Sequence, residues 1–484
     1  MINTNRRLAV HPMFKKQTWS ILILLILFSS SAAFAQPASI TGVSKSHVGD
    51  EIIFYRYSDL ITMSEEEMGR CNVDEHGYFN CSLKITETTY LFSHLGIYRL
   101  YLFAEPGKTY NLALPEKEDK TESQRLNPYF RETDQFVGIT NIDRNDINFL
   151  INSFDLTFNE KFDLIINDTY KGKTKINVDS LINTIESQYT TFKLPYFSTY
   201  RYYRYGLLKQ LTYIQKARST SEHYFLNKPV IYNNTAFMEL FNLVYDKYFI
   251  FFSRTETGNA VFKNITQEKS LSQLKKTLST DNVLSNDTLK ELVILKGLHD
   301  GFFEDKFSRS ALLTILDSLY FTSRIPEHLV IAQNIRTKVT HLLPGFVPAP
   351  FELYDAKGKL FKLDDFKGKY IYLNFCTSTS YTCLQEFSLL KKLYEKHKQM
   401  LEIVTICVDR DKQDMINLLQ NEGYSWTFLY YGNKPEIVKD FDVRVYPTYF
   451  LIDPDRKLLL SPAPSPRENF EIQFFKILRS RGAI

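Results

Sequence analysis

The sequence of 484 residues lacks the signatures of several large classes of ligand-binding protein. None of its nine histidines stands at zinc-site spacing from cysteines or carboxylates, and its 18 glycines form no glycine-rich phosphate loop. The formal net charge is only +4, and four basic residues near the start account for all of it: Arg6, Arg7, Lys15 and Lys16. We therefore expect no metal, no cofactor, and no nucleic-acid or anionic-membrane partner bound through bulk charge.

Long apolar runs are missing as well, and the most apolar stretch, residues 21–28, belongs to the first 35 residues. This run follows a basic stretch and precedes the small-x-small site Ala33-Phe34-Ala35, which is the pattern of a secretory signal peptide. It is shorter than the roughly 20 residues that cross a bilayer, and no cysteine follows it to accept a lipid. The sequence predicts a signal peptide over residues 1–35, cleavage before Gln36, and a periplasmic or secreted protein with no stable membrane span.

The chain has five cysteines, and the predicted export places them in an oxidising compartment where pairing is possible. Cys71 and Cys81 flank a turn near His76, at which Gly77 offers a residue that tolerates positive φ. In such a hairpin the two cysteines fall opposite or nearly opposite each other, within the reach of a disulfide. We predict a Cys71–Cys81 disulfide, and we interpret Cys407 as a core residue of an apolar strand.

Hydrophobic periodicity divides the exported chain into three parts. Residues 36–118 alternate apolar and polar positions in short runs, which predicts a small β-sandwich-like module. Residues 119–343 have helical spacing and predict an all-α domain, in which the aromatic stretch 196–205 is interpreted as core, with a binding groove as the alternative. A proline-rich linker opens the last part, residues 344–484, whose alternating strand and helix patterns predict an α/β domain.

Several motifs of one family occur in the same order within residues 345–484. They are Ala349-Pro350-Phe351-Glu352-Leu353, the segment 363–369, the strand 370–375 and the segment 446–453. With these motifs the domain resembles the TlpA-like thioredoxins, and the turn Glu105-Pro106-Gly107-Lys108 resembles part of the β module that precedes this domain in many secreted members. The resemblance implies a thioredoxin-like mixed sheet flanked by helices, and a family role in thiol–disulfide exchange on exported proteins.

The redox motif of this family, Trp-Cys-x-x-Cys, is altered in the present sequence. The strand end Leu373-Asn374-Phe375 and Glu386 fix the register, which aligns Ser380 with the first cysteine and Cys383 with the second. A serine hydroxyl neither ionises near neutrality nor forms a disulfide, so a dithiol cycle through residues 380 and 383 is impossible. We interpret Ser380 as the N-cap of a helix that runs from about Tyr381 to His397.

The role of Cys383 stays open at this point. It is either a thiol activated by the helix dipole or a small buried hydrophobic residue. Cys376 is a possible partner in a displaced redox couple, although a sulfur at a strand end is unfavourably placed to reach a helical turn. The Ser-x-x-Cys pattern followed by Glu386 is also locally similar to the peroxiredoxins, and this similarity implies a peroxidase as a further alternative.

Pro447 aligns with the proline that is cis throughout the TlpA-like family and faces the active-site loop. A cis proline before a strand shapes a groove edge along which an extended peptide pairs its backbone. We predict a groove formed by Pro447, Tyr446, Tyr381 and Thr382. Three hypotheses follow: a non-catalytic protein that binds an exported protein or peptide, residual thiol chemistry at Cys383 alone or with Cys376, and a thiol peroxidase.

Overall fold

The computed structural model describes residues 36–171, 177–212 and 216–483, and the predicted signal peptide lies outside these residues. The described chain forms a β module, a helical domain and a C-terminal thioredoxin-like domain with a central mixed sheet. This succession of fold classes agrees with the sequence prediction. Within the described ranges no helix combines the length and apolar character needed to span a bilayer.

Two sheets make up the β module, and their buried side chains share one hydrophobic core. In the second strand, Ile52 and Phe54 alternate with more exposed residues, because successive side chains of a strand point to opposite faces. The strands are β1 (Ala38–Val43), β2 (Glu51–Tyr57), β3 (Glu65–Asn72), β4 (Tyr78–Leu83), β5 (Thr89–Leu95), β6 (Tyr98–Ala104), β7 (Thr109–Ala113), β8 (Thr133–Phe136) and β9 (Gly138–Ile139). One sheet has the order β4-β1-β7-β9, and the other has the order β3-β2-β5-β6-β8.

The strands β3 and β4 are consecutive in the chain but belong to different sheets. Gly77, in the turn between them, has φ +82°, and a Cβ at this position would approach the Ser44 carbonyl oxygen to 2.8 Å. The predicted cross-strand hairpin pair is wrong, because β3 pairs with β2 and β4 pairs with β1. The disulfide between Cys71 and Cys81, whose Cα atoms are 5.1 Å apart, therefore joins the two sheets.

A segment beyond residue 118 completes both sheets. It contains a short helix α1 (Glu122–Leu126), then β8, which runs parallel to β6, and β9, which pairs with β7. Tyr129 in this segment also contacts the C-terminal domain: its hydroxyl donates to the Val443 carbonyl oxygen at 3.1 Å, and the Arg444 guanidinium lies 3.8 Å from its ring centroid. The predicted boundary at residues 118 and 119 thus precedes strands that belong to the β module.

The helical domain follows and encloses a large hydrophobic core. Its aromatic stretch, residues 196–205, lies on one helix and buries Phe197, Tyr200, Tyr203 and Tyr205, so these rings pack in the core. The helices are α2 (Ile147–Tyr170), α3 (Val178–Ser187), α4 (Pro195–Leu211), α5 (Ala217–Phe225), α6 (Thr235–Val244), α7 (Tyr248–Phe252), α8 (Val261–Thr266), α9 (Leu271–Leu278), α10 (Asp287–Gly301), α11 (Arg309–Thr322) and α12 (Pro326–Thr340).

Helix α10 is buried along most of its length, and its charged residues are paired. Glu291 accepts hydrogen bonds from Lys275 Nζ at 2.6 Å, Ser323 Oγ at 2.7 Å and His328 Nδ1 at 3.0 Å. Tyr232 bonds the other ring nitrogen of His328 at 2.8 Å. This network ties α10 to α9 and α12, because a buried carboxylate is tolerated only when its oxygens are bonded.

The C-terminal domain has a seven-stranded sheet in the order β11-β10-β14-β13-β12-β15-β16, covered on both faces by hydrophobic clusters. Its elements are β10 (Glu352–Asp355), β11 (Leu360–Lys362), β12 (Tyr370–Cys376), α13 (Tyr381–His397), β13 (Leu401–Cys407), α14 (Lys412–Glu422), β14 (Thr427–Tyr430), α15 (Pro435–Asp440), β15 (Thr448–Ile452), β16 (Leu458–Ala463) and α16 (Phe470–Ser480). Every residue of β12 is buried, as the central position between β13 and β15 requires.

Candidate functional site

The candidate site lies where β12 ends and α13 begins. Ser380 has extended backbone angles, and its Oγ accepts a hydrogen bond from the Cys383 N–H at 3.4 Å, so it caps the helix that begins at Tyr381. The start and the end of α13 are those that the sequence predicted. Ser380 therefore stands at the helix N-terminus, where the resemblance places the first redox cysteine.

The loop before Ser380 is held by a buried carboxylate. Asp409 Oδ1 accepts hydrogen bonds from the Ser378 N–H at 2.8 Å and from the Ser378 hydroxyl at 3.1 Å. Its second oxygen, Oδ2, is buried and has no hydrogen-bond partner among the described residues. Burial raises the pKa of Asp409. The sequence analysis did not identify this residue, although its position just after the strand parallel to β12 was an available signal.

Cys376 and Cys383 both lie in the buried core behind this loop. Both side chains are 0% exposed and belong to the same hydrophobic cluster. A hydrogen bond from the Cys376 thiol lowers the pKa of Cys383 to about 7, with further help from Ser380 and the Thr377 backbone and against the effect of burial. Both cysteines are free thiols in the structure, so the displaced redox couple of Cys376 and Cys383 stays a prediction.

A third thiol lies beside this pair. Cys407 ends β13, and its register partner on β12 is Cys376. Burial raises the pKa of Cys407 and also that of Cys376, so both hold their protons near neutrality. Cys407 is a core-strand residue, as the sequence indicated, but its position next to Cys376 depends on strand register and was not foreseen. Among these three thiols, Cys383 therefore has a lowered pKa, and Cys376 and Cys407 have raised pKa values.

Glu386, which fixed the sequence register, lies on the same helix one turn further on. It is buried, its Oε1 lies 3.6 Å from Arg467 Nε, and its Oε2 has no hydrogen-bond partner within the described part of the chain. Burial raises its pKa. A protonated carboxyl at this depth is less costly than a charged one, because the guanidinium and the backbone of Arg467 offset only part of the lost hydration.

The predicted groove residues are placed on two sides of the site. The Tyr446–Pro447 peptide bond is cis, and Tyr446 is half-buried, which raises its pKa to about 12, with smaller contributions from Tyr129 and Cys383. Tyr381 is 74% exposed and Thr382 is also exposed. Tyr446 packs against the hydrophobic cluster that contains Cys376 and Cys383, and residues 381 and 382 are exposed at the start of α13.

A cavity of about 560 Å³ lies next to Pro447. Thr448 lines it on the side of the thioredoxin-like domain, and Phe302 and Phe303 line it on the side of the helical domain. Among the four predicted groove residues only Pro447 lines this cavity, and Phe303 is 66% exposed there. The helical domain thus supplies one wall of the space beside the cis proline, which the sequence could not indicate.

Comparisons with known proteins concern the C-terminal domain. A family model described as Redoxin matches residues 338–468. The chain is 34% identical over 128 residues to the thiol-disulfide oxidoreductase ResA of Bacillus thuringiensis subsp. konkukian, which covers 26% of this chain and 73% of that relative. It is 32% identical over 110 residues to ResA of Bacillus subtilis, covering 22% of this chain and 61%, less than two thirds, of that relative.

Two solved structures are similar over the same region. The thioredoxin domain of a thiol-disulfide oxidoreductase from Bacteroides vulgatus is 22% identical and matches 28% of this chain and 97% of its own, with a TM-score of 0.26. The exposed lipoprotein thioredoxin of Streptococcus pneumoniae is 25% identical and matches 27% of this chain and 100% of its own, with a TM-score of 0.24.

Proposed function

From the premise that this chain belongs to the family of thiol-disulfide oxidoreductases that includes ResA, we propose that it has lost the dithiol cycle at residues 380 and 383 and retains a binding groove. The observation that carries this proposal is the position of Ser380, whose hydroxyl caps α13 at the helix N-terminus. A thiol at that place gains thiolate character from the helix, whereas a hydroxyl stays protonated and forms no bond to sulfur.

The retained groove is the surface beside Pro447. Val445, two residues earlier, is 67% exposed, and Phe303 faces the same cavity from the helical domain. Exposed apolar side chains next to a cis proline suit an extended polypeptide, which can pair its backbone there and bury its own apolar side chains. We propose that the partner is an exported protein or peptide, met in the periplasm or outside the cell after removal of the leader.

The test compares reduction of an insulin-type disulfide by wild type, Cys383→Ser, Ser380→Cys and the double variant Ser380→Cys/Cys383→Ser, with a thiol reductant present. We expect no dithiol turnover by wild type, partial turnover by Ser380→Cys, and none by the double variant, which lacks the resolving thiol. Tyr381 and the missing tryptophan of the motif limit the rescue. If wild type reduces the disulfide and Cys383→Ser does so equally well, the redox chemistry lies elsewhere, and the alignment of residues 380 and 383 with the family's redox pair is refuted.

Groove binding has a separate test. An unfolded, alkylated polypeptide labelled with a fluorophore is titrated with wild type, Val445→Asp and Tyr354→Asp. Tyr354 is a matched control because it is an exposed aromatic residue on β10, at the opposite side of the sheet from β15. We expect Val445→Asp alone to weaken binding. Equal affinity for all three proteins would contradict a groove beside Pro447.

A second candidate function is thiol chemistry at Cys383, alone or with Cys376. The observation that favours it is the position of Cys383 in the first turn of α13. Its pKa is lowered to about 7, chiefly by Cys376, and a thiol with this pKa is half thiolate at neutral pH. The test is consumption of a hydroperoxide with a thiol reductant as electron donor, measured on wild type and Cys383→Ser. Activity that is the same in both proteins would exclude Cys383 as the reacting sulfur.

A further inference from the structure

We propose that a cavity between the β module and the helical domain binds a small organic cation that carries an aromatic or aliphatic body. The cavity has a volume of about 780 Å³, and all the residues that line it lie between positions 56 and 331. It therefore contains no residue of the thioredoxin-like domain and is separate from the groove beside Pro447. Its size falls within the range of about 300–1,000 Å³ that is typical of small-ligand sites.

Two domains supply the walls of this cavity. The β module contributes the end of β2, the loop that follows it and the start of β5, and the helical domain contributes the segment before α6 and the first turns of α12. Hydrogen bonds join the two domains beside the cavity: Asn334 Nδ2 donates to Asp59 Oδ2 at 2.8 Å, and Asn242 Nδ2 donates to the Leu60 carbonyl oxygen at 2.7 Å. The walls are therefore held in place without a ligand, which lowers the entropic cost of binding one.

Apolar and aromatic side chains form much of the lining. Met238 and Ile331 are buried and belong to the core of the helical domain. Tyr57 and Tyr90 also line the cavity, and their rings are stacked with centroids 6.4 Å apart. Tyrosine rings pack against apolar groups and attract cations to their faces. The lining therefore suits a ligand with an apolar body.

The charge of the lining is strongly negative. One cationic side chain, that of Arg56, lines the cavity together with four carboxylates, those of Asp59, Glu66, Glu87 and Glu327, so the formal charge is 1 − 4 = −3. Two of these carboxylates already have partners. Glu66 pairs with Arg56 at 2.8 Å, and Asp59 accepts hydrogen bonds from the backbone N–H groups of residues 61 and 62. The other two are available to a ligand.

These two carboxylates, Glu87 and Glu327, form no ion pair with any residue that the structure describes. Partial burial raises the pKa of Glu87, Arg56 offsets part of this effect, and the negative charge of Glu327 raises the pKa further. A bound cation would stabilise the charged form of both. The described ranges contain no group of three or more side chains that could hold a metal ion, so an ammonium or guanidinium group is the better match.

The test is isothermal titration calorimetry of the full chain with three ligands that share an indole body. Tryptamine is a cation, tryptophol is neutral and indoleacetate is an anion. We expect tryptamine to bind most tightly and indoleacetate least tightly, because the lining is negative. Added salt should weaken the binding of tryptamine but not that of tryptophol. Equal affinity for tryptamine and tryptophol, or no binding of tryptamine at millimolar concentration, would overturn the proposal.

Variants locate the binding in this cavity. Glu87→Gln and Glu327→Gln should each weaken tryptamine binding about fivefold, the effect of a strong exposed ion pair, and leave tryptophol binding unchanged. Val330→Trp should weaken the binding of both ligands, because Val330 lines the cavity and the larger ring fills it. Glu256→Gln is the matched control, since it removes the same charge from an exposed residue of the helical domain outside the lining.

Unchanged tryptamine affinity in both cavity glutamine variants, or an equal loss in Glu256→Gln, would place the binding elsewhere and refute the site. A blocked peptide with lysine beside an aromatic residue is the last ligand. If it binds to wild type and tryptamine does not, the partner is a polypeptide and the proposed small ligand is wrong. The comparison of ligands on wild type needs no variant, so a variant that fails to fold does not affect it.

Discussion

Removal of the Cys376 thiol should raise the pKa of Cys383. The hydrogen bond from Cys376 is the largest influence that lowers this pKa to about 7, and burial acts in the opposite direction. In Cys376→Ala the donor is gone, so the Cys383 pKa should return at least to the ordinary range near about 8.5. At pH 7 the thiolate fraction then falls from about one half to about 3%, a decrease of about 15-fold.

The assay is the pH dependence of Cys383 alkylation by a small reagent such as iodoacetamide, followed by mass spectrometry. Because Cys383 is buried, limited access lowers its alkylation rate by the same factor at every pH. The midpoint of the pH profile therefore reports the pKa, and the absolute rate does not. Cys376→Ser is the matched control, since its hydroxyl keeps a donor at nearly the same place. Its midpoint should stay below that of Cys376→Ala.

Two results would refute this reasoning. A wild-type midpoint at or above about 8.5 would mean that the contact between the two sulfurs does not stabilise the thiolate. An unchanged midpoint in Cys376→Ala would mean that the helix N-terminus or Ser380 lowers the pKa without Cys376. In the second case Ser380→Ala should show the larger rise, because its hydroxyl is the next side chain that lowers the pKa.

Further predictions concern the parts that support the site. Replacement of both Cys71 and Cys81 by alanine should destabilise the β module by about 3 kcal/mol, the loop-entropy value for a bridge across 10 positions, measured by urea unfolding against oxidised wild type without reductant. Glu291→Ala should cost about 3 kcal/mol in the helical-domain transition, because the buried histidine and the lysine lose their acceptor, while Glu291→Gln should cost less. Hydrogen bonds to Glu132 and a second glutamate raise the pKa of His94 to about 9. The protonated imidazole therefore stabilises the folded protein fully below about pH 6.5, and this contribution disappears as the pH rises through 9. In His94→Gln the free energy of unfolding should depend less on pH in that window. Solvent screening reduces the size of this effect.

Local signals in the sequence were sufficient where the structure is determined locally. The start of α13 follows from Ser380, because a serine followed by an apolar helical pattern is a strong N-cap signal, and the helix ends at the predicted His397. The order of the fold classes follows from hydrophobic periodicity. The alignment of Ser380 with the first redox cysteine needed only the family motif.

Features set by tertiary contacts could not be predicted in the same way. β8 and β9 are four and two residues long and mostly exposed, so they carry no alternating pattern and exist only as partners of β6 and β7. The placement of Cys376 relative to Cys383 depends on the path of the loop, which Asp409, just after β13, fixes through Ser378. The placement of Cys71 and Cys81 in different sheets likewise depends on strand pairing.

The completion of both β-sheets by residues 133–139 limits how this chain can be divided. A fragment that stops at residue 118 would leave β6 and β7 with unpaired edges, and exposed edges of this kind promote aggregation. The segment that covers these edges also holds the thioredoxin-like domain through Tyr129. A fragment meant to contain the whole β module therefore has to extend through residue 139, so that both sheets keep their last strand.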